Sequence, residues 1–335
     1  MDALTNRLGT RFLVVTVVPN ILLIGYIGFL IAAGAPARSP SLAKALKVLD
    51  GLTLHQVIAL VLGVLIISIA SHPLQTPLIQ LMEGYWWGLP LGPRLANRAI
   101  NRIMRERKRT LDEVNEARAQ IRRDPQNRDA INIARRGQFR LDWLPDREAD
   151  LLPTALGNTL RKGETGAGRP YELQLTVALP RLIPSMSQGI FDEVSDRRNQ
   201  LDAAVRLCVA SGIATAVTVG LLLWYGAWLF LAVATYLLCW TCYRSAVAAA
   251  RGFSTSLAAA IDLHHLQLFD ALSLERPPDI VTECERNKVL TKLFNRAYLR
   301  KGEKGMLHYI VPKADNSAES GAKALPAPDL GSPAP

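Results

Sequence analysis

Residues 203–243, AAVRLCVASGIATAVTVGLLLWYGAWLFLAVATYLLCWTCY, decide the fold class. Two apolar blocks, Ala203–Trp224 and Ala227–Tyr243, are separated only by Tyr225 and Gly226. At about 1.5 Å per residue, the first makes a helix of about 33 Å, enough to cross a hydrocarbon core of ~30 Å. Two spans joined this tightly form an antiparallel hairpin. Trp224, Tyr225 and Trp228 cluster at the turn, where amphipathic rings seat at a membrane interface. Gly212, Ala216 and Gly220 recur every four residues along one face of the first helix. Such a stripe is expected to face another helix, because small residues let backbones approach where dispersion packing replaces hydrophobic drive. It serves ordinary packing within the chain, or else an oligomer or pore seam.

Working towards the N-terminus, two further blocks have the same character. Phe12–Ala33 is apolar except for Thr16 and Asn20. It exceeds the apolar core of about 7–15 residues of a secretory signal, so it is expected to remain as an anchor. Pro19 can kink it, and Gly25 and Gly28 permit close approach to a neighbour. A second span is expected over residues 54–71, followed by Pro73 and Pro77. Residues 74–87 then carry apolar side chains at helical spacing and end in Tyr85-Trp86-Trp87, the signature of an anchor at headgroup level. That segment lies along or re-enters the membrane face, or else packs on the soluble part of the chain. The fold class is thus an all-α membrane protein, with four transmembrane helices in two pairs and a helical, arginine-rich cytosolic domain inserted between spans 2 and 3.

Charge sets the expected orientation. The chain carries a formal +10. Between Arg94 and Arg140 there are 14 Lys plus Arg against 6 Asp plus Glu, whereas the loop from Gly34 to Thr53 has only Arg38, Lys44 and Lys47. The positive-inside rule places the basic segment in the cytoplasm, with both termini beside it and the cell membrane as the location. The expected units are an N-terminal part, 1–92, with spans 12–33 and 54–71 and the interfacial helix 74–87; a cytosolic helical domain, 93–202; the hairpin, 203–243; C-terminal cytosolic helices, 244–312; and a disordered tail, 313–335. The expected partners are the lipid bilayer through anionic headgroups, and a protein partner or a second copy. No aromatic residues interleave the arginines, which disfavours nucleic acid. The four cysteines all fall in or after the third block, which disfavours a disulfide framework.

Within the polar parts, Pro93–Arg123 lacks helix breakers and is expected to be one long polar helix, with a second, Gln126–Gly137, after the Asp124-Pro125 break. Tyr171–Leu179 alternates as a strand would, without a partner strand to pair with; a helix broken at Pro180 fits equally. Ser245–Ser273 continues the fourth block as a helix, and Glu283–Arg300 forms a last amphipathic one beyond Pro277-Pro278.

The most individual stretch runs Pro153, Thr154, Leu156, Gly157, Asn158, Leu160, Arg161, with Pro180, Arg181 and Leu182 further on and Asp262, Leu263 and His264 later still. In these segments, and in His72-Pro73-Leu74-Gln75 after the second span, the chain resembles a family of uncharacterised bacterial multi-pass membrane proteins. The likeness covers roughly residues 55–300; it implies architecture and brings no activity with it.

Candidate chemistry is sparse. Gly163–Gly168 (Gly-Glu-Thr-Gly-Ala-Gly) has the look of a phosphate loop but lacks the Lys-Ser/Thr ending and a preceding apolar strand, so a flexible turn is the plainer reading. Cys239 and Cys242 have redox-motif spacing, yet the expected topology puts them at the reducing end, where buried thiols are common. Asp262, His264 and His265 supply potential metal ligands, with Asp262 and His265 one turn apart, though further ligands would have to come from elsewhere. No cofactor is implied. Away from their ends the blocks contain no Asp, Glu, Lys or Arg to mark an ion path. The leading expectation is a non-enzymatic membrane scaffold, sensor or membrane-acting effector. An oligomeric channel, and a thiol-redox or metal enzyme, are the alternatives.

Overall fold

The computed structural model describes residues 17–310; the start of the first apolar block, Phe12–Thr16, and the tail from residue 311 lie outside the described residues. Thirteen α-helices run through the described residues in chain order: α1 Val18–Ala32, α2 Leu42–Asp50, α3 Leu54–Ser71, α4 Gln75–Glu83, α5 Gly92–Arg123, α6 Arg128–Leu141, α7 Ala155–Gly168, α8 Leu175–Leu182, α9 Gln188–Leu222, α10 Phe230–His264, α11 Gln267–Ala271, α12 Ile280–Phe294 and α13 Lys301–Lys304. No strand occurs among them; the only extended pairing is a lone bridge between Leu274 and Tyr309. The strand alternative for Tyr171–Leu179 is therefore corrected. Its second half is α8, and Pro180 sits inside that helix. The alternating residues Leu173 and Leu175 are both buried in one cluster with Leu257, Ile261 and Phe269, so burial on a helical core, with no strand edge to pair with, decided the conformation.

Among the described residues, three helices are long and apolar enough to cross a membrane: α3, α9, and α10 together with the short 3-10 turn that leads into it, Gly226–His264. The described part of the first block, α1, is a shorter apolar helix. Outward-facing side chains on these helices are large and apolar, with Ile66 66% and Phe230 78% exposed. A helix apolar around its whole circumference and little covered by its own fold requires an apolar surrounding.

The long pair α9 and α10 organises everything else. Each has 35 residues and is therefore about 52 Å long, well beyond a ~30 Å hydrocarbon layer. Their apolar blocks run on as polar rods without a break. Along α9 the buried positions Leu201, Val205, Cys208, Ser211, Ala214, Thr218 and Leu222 recur every three or four residues and mark the face turned to the body. At one end of the pair, Leu222 packs with Leu30 and Ala35, and the Tyr225 hydroxyl donates to the Pro36 carbonyl. So the turn between α9 and α10 and the segment after α1 meet at that end.

Polar side chains tie the apolar helices together. Asn20 of α1 donates to the hydroxyls of Ser68 (3.1 Å) and Ser71 (3.0 Å) on α3, and the Tyr26 hydroxyl lies 2.7 Å from that of Thr218 on α9. Inside a bilayer such bonds contribute about 0.6 kcal/mol each, up to about 1.7.

At the opposite end, Ile79 of α4 joins Leu156, Leu160, Leu201, Val205, Ala246 and Ala250 in one buried cluster. Helix α4 ends at Glu83, short of the expected 87, because Gly84 takes a left-handed φ of 101° and its N–H bonds back to Gln80 and Leu81. From here α5 and α6 form a hairpin arm. Val114 and Ala117 of α5 and Ala130 and Gly137 of α6 are buried; a Cβ on Gly137 would lie 2.3 Å from Val114 Cγ2, so glycine is what lets the two helices close. Asn127 caps α6 by accepting from the Ala130 N–H at 3.0 Å. The arm's hold on the rods is narrow: the Arg251 guanidinium lies over the rings of Phe139 (5.0 Å) and, just after α6, Trp143 (5.3 Å); Arg107 ties α5 to the linker beyond α6 by donating to the carbonyls of Pro145 and Asp146.

Candidate functional site

The stretch Pro153–Arg161 is a structural joint, and most of its residues have a visible task. Thr154 caps α7, accepting from the Gly157 N–H at 3.0 Å, while its own hydroxyl donates to the Glu83 carbonyl at 2.8 Å. Gly157 lies so close to α4 that a Cβ there would sit 2.0 Å from the Glu83 oxygen; a Cβ on Gly84 would in turn sit 2.3 Å from Pro153. Asn158 is buried and grips the chain entering the helix, accepting from Leu152 N–H and donating to Leu152 C=O, both at 2.8 Å. Leu156 and Leu160 enter the core, and Arg161 pairs with Asp150 at 3.3 Å. Arg181, the later residue of the likeness, lays its guanidinium 4.2 Å over the Phe294 ring.

The glycine-rich run that follows is neither a phosphate loop nor a flexible turn: Gly163–Gly168 completes α7. Two of its three glycines, Gly163 and Gly168, are there for close approach. A Cβ on Gly163 would fall 2.4 Å from Ser254 Cβ on α10, and one on Gly168 would fall 2.1 Å from the Leu173 carbonyl oxygen. Spacing along the chain carries no trace of a neighbour ninety residues away.

Two carboxylates at this joint sense one another. Burial, and secondarily the charge of Glu164, push the Glu83 carboxyl up to about 7, with Arg198 opposing. Burial also raises Glu164, against the pull of Arg161 and Arg198. Beside them, a cleft of about 290 Å³ is lined by Asp146, Asp150, Arg161, Glu164, Arg169 and Glu172 among others. Its charges are mostly paired: Lys162 holds Asp146 at 2.7 Å, Arg169 also reaches Asp146, and the hydrogen bond from Lys162 keeps the Asp146 carboxyl below its ordinary value.

The histidine region is equally self-satisfied. His264 is buried, with Nδ1 on the Ala260 carbonyl (3.0 Å) and Nε2 accepting from the Ser187 N–H (3.2 Å), which assigns the proton to Nδ1 and uses both ring nitrogens. His265 Nδ1 lies 2.6 Å from the Glu283 carboxylate and its ring stacks on Tyr171 with centroids 4.1 Å apart. Asp262 accepts from the Tyr171 hydroxyl at 3.0 Å; burial, and after it this hydrogen bond, drives that phenol up to about 12. So Asp262 and His265 meet through Tyr171, a residue that sequence spacing could not single out, while His264 faces Ser187. Among the described residues no three His, Cys, Asp or Glu side chains are arranged to hold a metal ion.

Cys239 faces across to α9, where the Cys208 thiol lies 3.8 Å away; its partner is thus on the other helix, one that the C-x-x-C spacing with Cys242 does not indicate. Cβ of a residue at 212 would touch the Cys239 sulfur at 3.6 Å, so Gly212 lies in this seam, whereas Ala216 and Gly220 are exposed. Of the interfacial aromatics, Trp86 donates to the Leu81 carbonyl at 2.7 Å, Tyr85, Trp87 and Trp228 are exposed, and Trp224 is 85% exposed. No protein-family model, curated protein or solved structure matches this chain.

Proposed function

We propose that this chain is a non-enzymatic integral membrane protein of four spans that presents the basic α5–α6 arm on the cytoplasmic side as a docking element, for a protein partner or a second copy. One observation carries the reading. The arm is a helical hairpin, closed on its own Val114–Gly137 seam, attached to the rods by a few side chains, and exposing Leu111, Ile133 and Phe139 among its arginines. The polar clusters on the body are, by contrast, largely ion pairs and capped hydrogen bonds that satisfy one another.

Two features support the orientation. The α9–α10 turn and the Pro36 segment share one end, as segments on the same outer face must, and the arm emerges near the other. The arginine excess of residues 94–140 favours the cytoplasm for that other end.

Photo-crosslinking from positions 111 and 133 of the full-length protein in native membranes tests the reading. Discrete adducts, either a dimer of this chain or one recurrent protein, are expected. Monomer alone at both positions, with crosslinks only to lipid, would remove the docking role.

A further inference from the structure

One face of α5 joins two cavities of opposite character. At its base, Leu91 and Leu95 close an apolar pocket of about 470 Å³ together with Leu81, Met82, Trp86 and Pro90. One turn further along the same face, from Ala99, a larger cleft of about 1010 Å³ opens between the arm and α10. Arg102, Arg107, Arg109 and Arg140 line it from the arm, against Glu106 and Glu113; Trp240 and Tyr243 line it from α10. Positions 91, 95, 99, 102, 106, 110 and 113 are three or four apart, so a single helical stripe runs from the apolar pocket into the basic cleft. Trp240 and Tyr243 stand at the end of the fourth apolar block, and the Arg244 guanidinium lies 5.6 Å over the Trp240 ring. A cation on an indole at the end of a span is the arrangement of headgroup depth.

We infer that the two cavities form a binding site for an anionic phospholipid, with an acyl chain among Leu81, Trp86, Leu91 and Leu95 and the phosphate on the arginines of the cleft. Charge complementarity selects the occupant. Guanidinium forks match phosphate oxygens, whereas a zwitterionic headgroup brings an ammonium that the same arginines repel. The arginines differ in their other duties: Arg102 pairs with Glu106 at 3.0 Å and Arg107 holds the turn at Pro145, which leaves Arg109 and Arg140 as the residues to vary.

The inference rests on the membrane reading, and the test separates the two. Full-length protein that sediments with membranes and needs detergent to leave them satisfies the membrane reading; protein recovered in the supernatant without detergent defeats it before any lipid is added. Detergent-purified protein is then titrated with phosphatidylglycerol or phosphatidylcholine of equal chain length, and bound lipid is counted by native mass spectrometry. Wild type is expected to prefer phosphatidylglycerol by about ten-fold, and Arg109→Ala/Arg140→Ala to lose that preference by about ten-fold. Arg122→Ala/Arg123→Ala, which removes the same charge at the far tip of α5, is expected to change nothing. Leu95→Asp is expected to weaken retention of both lipids. Equal loss in the two arginine doubles would reduce the effect to overall charge and overturn the site. So would complete displacement of phosphatidylglycerol by inorganic phosphate, which would make the cleft a free-anion site, or equal retention of the two lipids by wild type.

Discussion

The contact between α7 and α10 at Gly163 makes the sharpest prediction. Adding a methyl there places carbon 2.4 Å from Ser254 Cβ and 3.2 Å from Ser254 Cα, where ordinary contact needs more than 3.4 Å. Rotating the Ser254 hydroxyl away relieves the approach to Oγ but not those to Cβ and Cα, so one helix has to retreat by about an ångström. Overpacking of this kind costs about 1–3 kcal/mol. Against it stands the helical preference of alanine over glycine, about 1 kcal/mol. Gly163→Ala is therefore expected to destabilise by up to about 2 kcal/mol, or up to ~3 °C in Tm for a chain of this size. Gly166→Ala, three residues along the same helix with nothing within 4 Å of its Cβ, is expected to stabilise by ~0.5–1 kcal/mol. Opposite signs from one substitution in one helix leave intrinsic propensity no room as the explanation. In a Ser254→Gly background most of the Gly163→Ala loss should vanish, a coupling of at least ~1 kcal/mol in a double-mutant cycle. Thermal unfolding of the detergent-solubilised protein reads all four variants. If Gly163→Ala and Gly166→Ala shift Tm alike, α7 does not seat on α10 and the close-approach account of the glycine run is wrong.

Asn158→Ala should cost about 2–4 kcal/mol, because it strands the buried Leu152 N–H and C=O together; chemical unfolding at fixed detergent reports it. Glu83 adds a pH dependence. Its folded-state carboxyl titrates near 7 rather than 4.5, so its contribution is most favourable below about pH 4.5 and is lost as pH rises through 7. Glu83→Gln should therefore flatten the stability profile between pH 4.5 and 7 and raise stability at pH 8 by about 1 kcal/mol after screening; an unchanged slope would refute the desolvation argument. Asn20→Leu removes both bonds to α3 and is expected to cost about 1–2 kcal/mol and to loosen the α1–α3 pair, visible as reduced crosslinking between cysteines placed on the two helices.

How much of this was legible beforehand depends on the reach of each signal. Hydropathy and periodicity accumulate along the chain, so the helical class, the long α5, the α9–α10 hairpin and the continuation of α10 beyond its apolar block could all be read from residues within a few turns of one another. The ends of elements were less legible: Gly84, with a positive φ, stopped α4 four residues early, and burial settled Tyr171–Leu179 as part of a helical core.

Partnership was not legible at all. That Gly163 meets Ser254, that His264 is used up by Ala260 and Ser187, that Cys239 faces Cys208 and that the half-buried Glu83 senses Glu164 are facts about residues far apart in the chain. Local composition constrains which residues want an apolar surrounding, since that preference belongs to each side chain alone. Which two side chains meet is a property of packing, where a single methyl group decides whether helices close, and only the assembled structure holds that information.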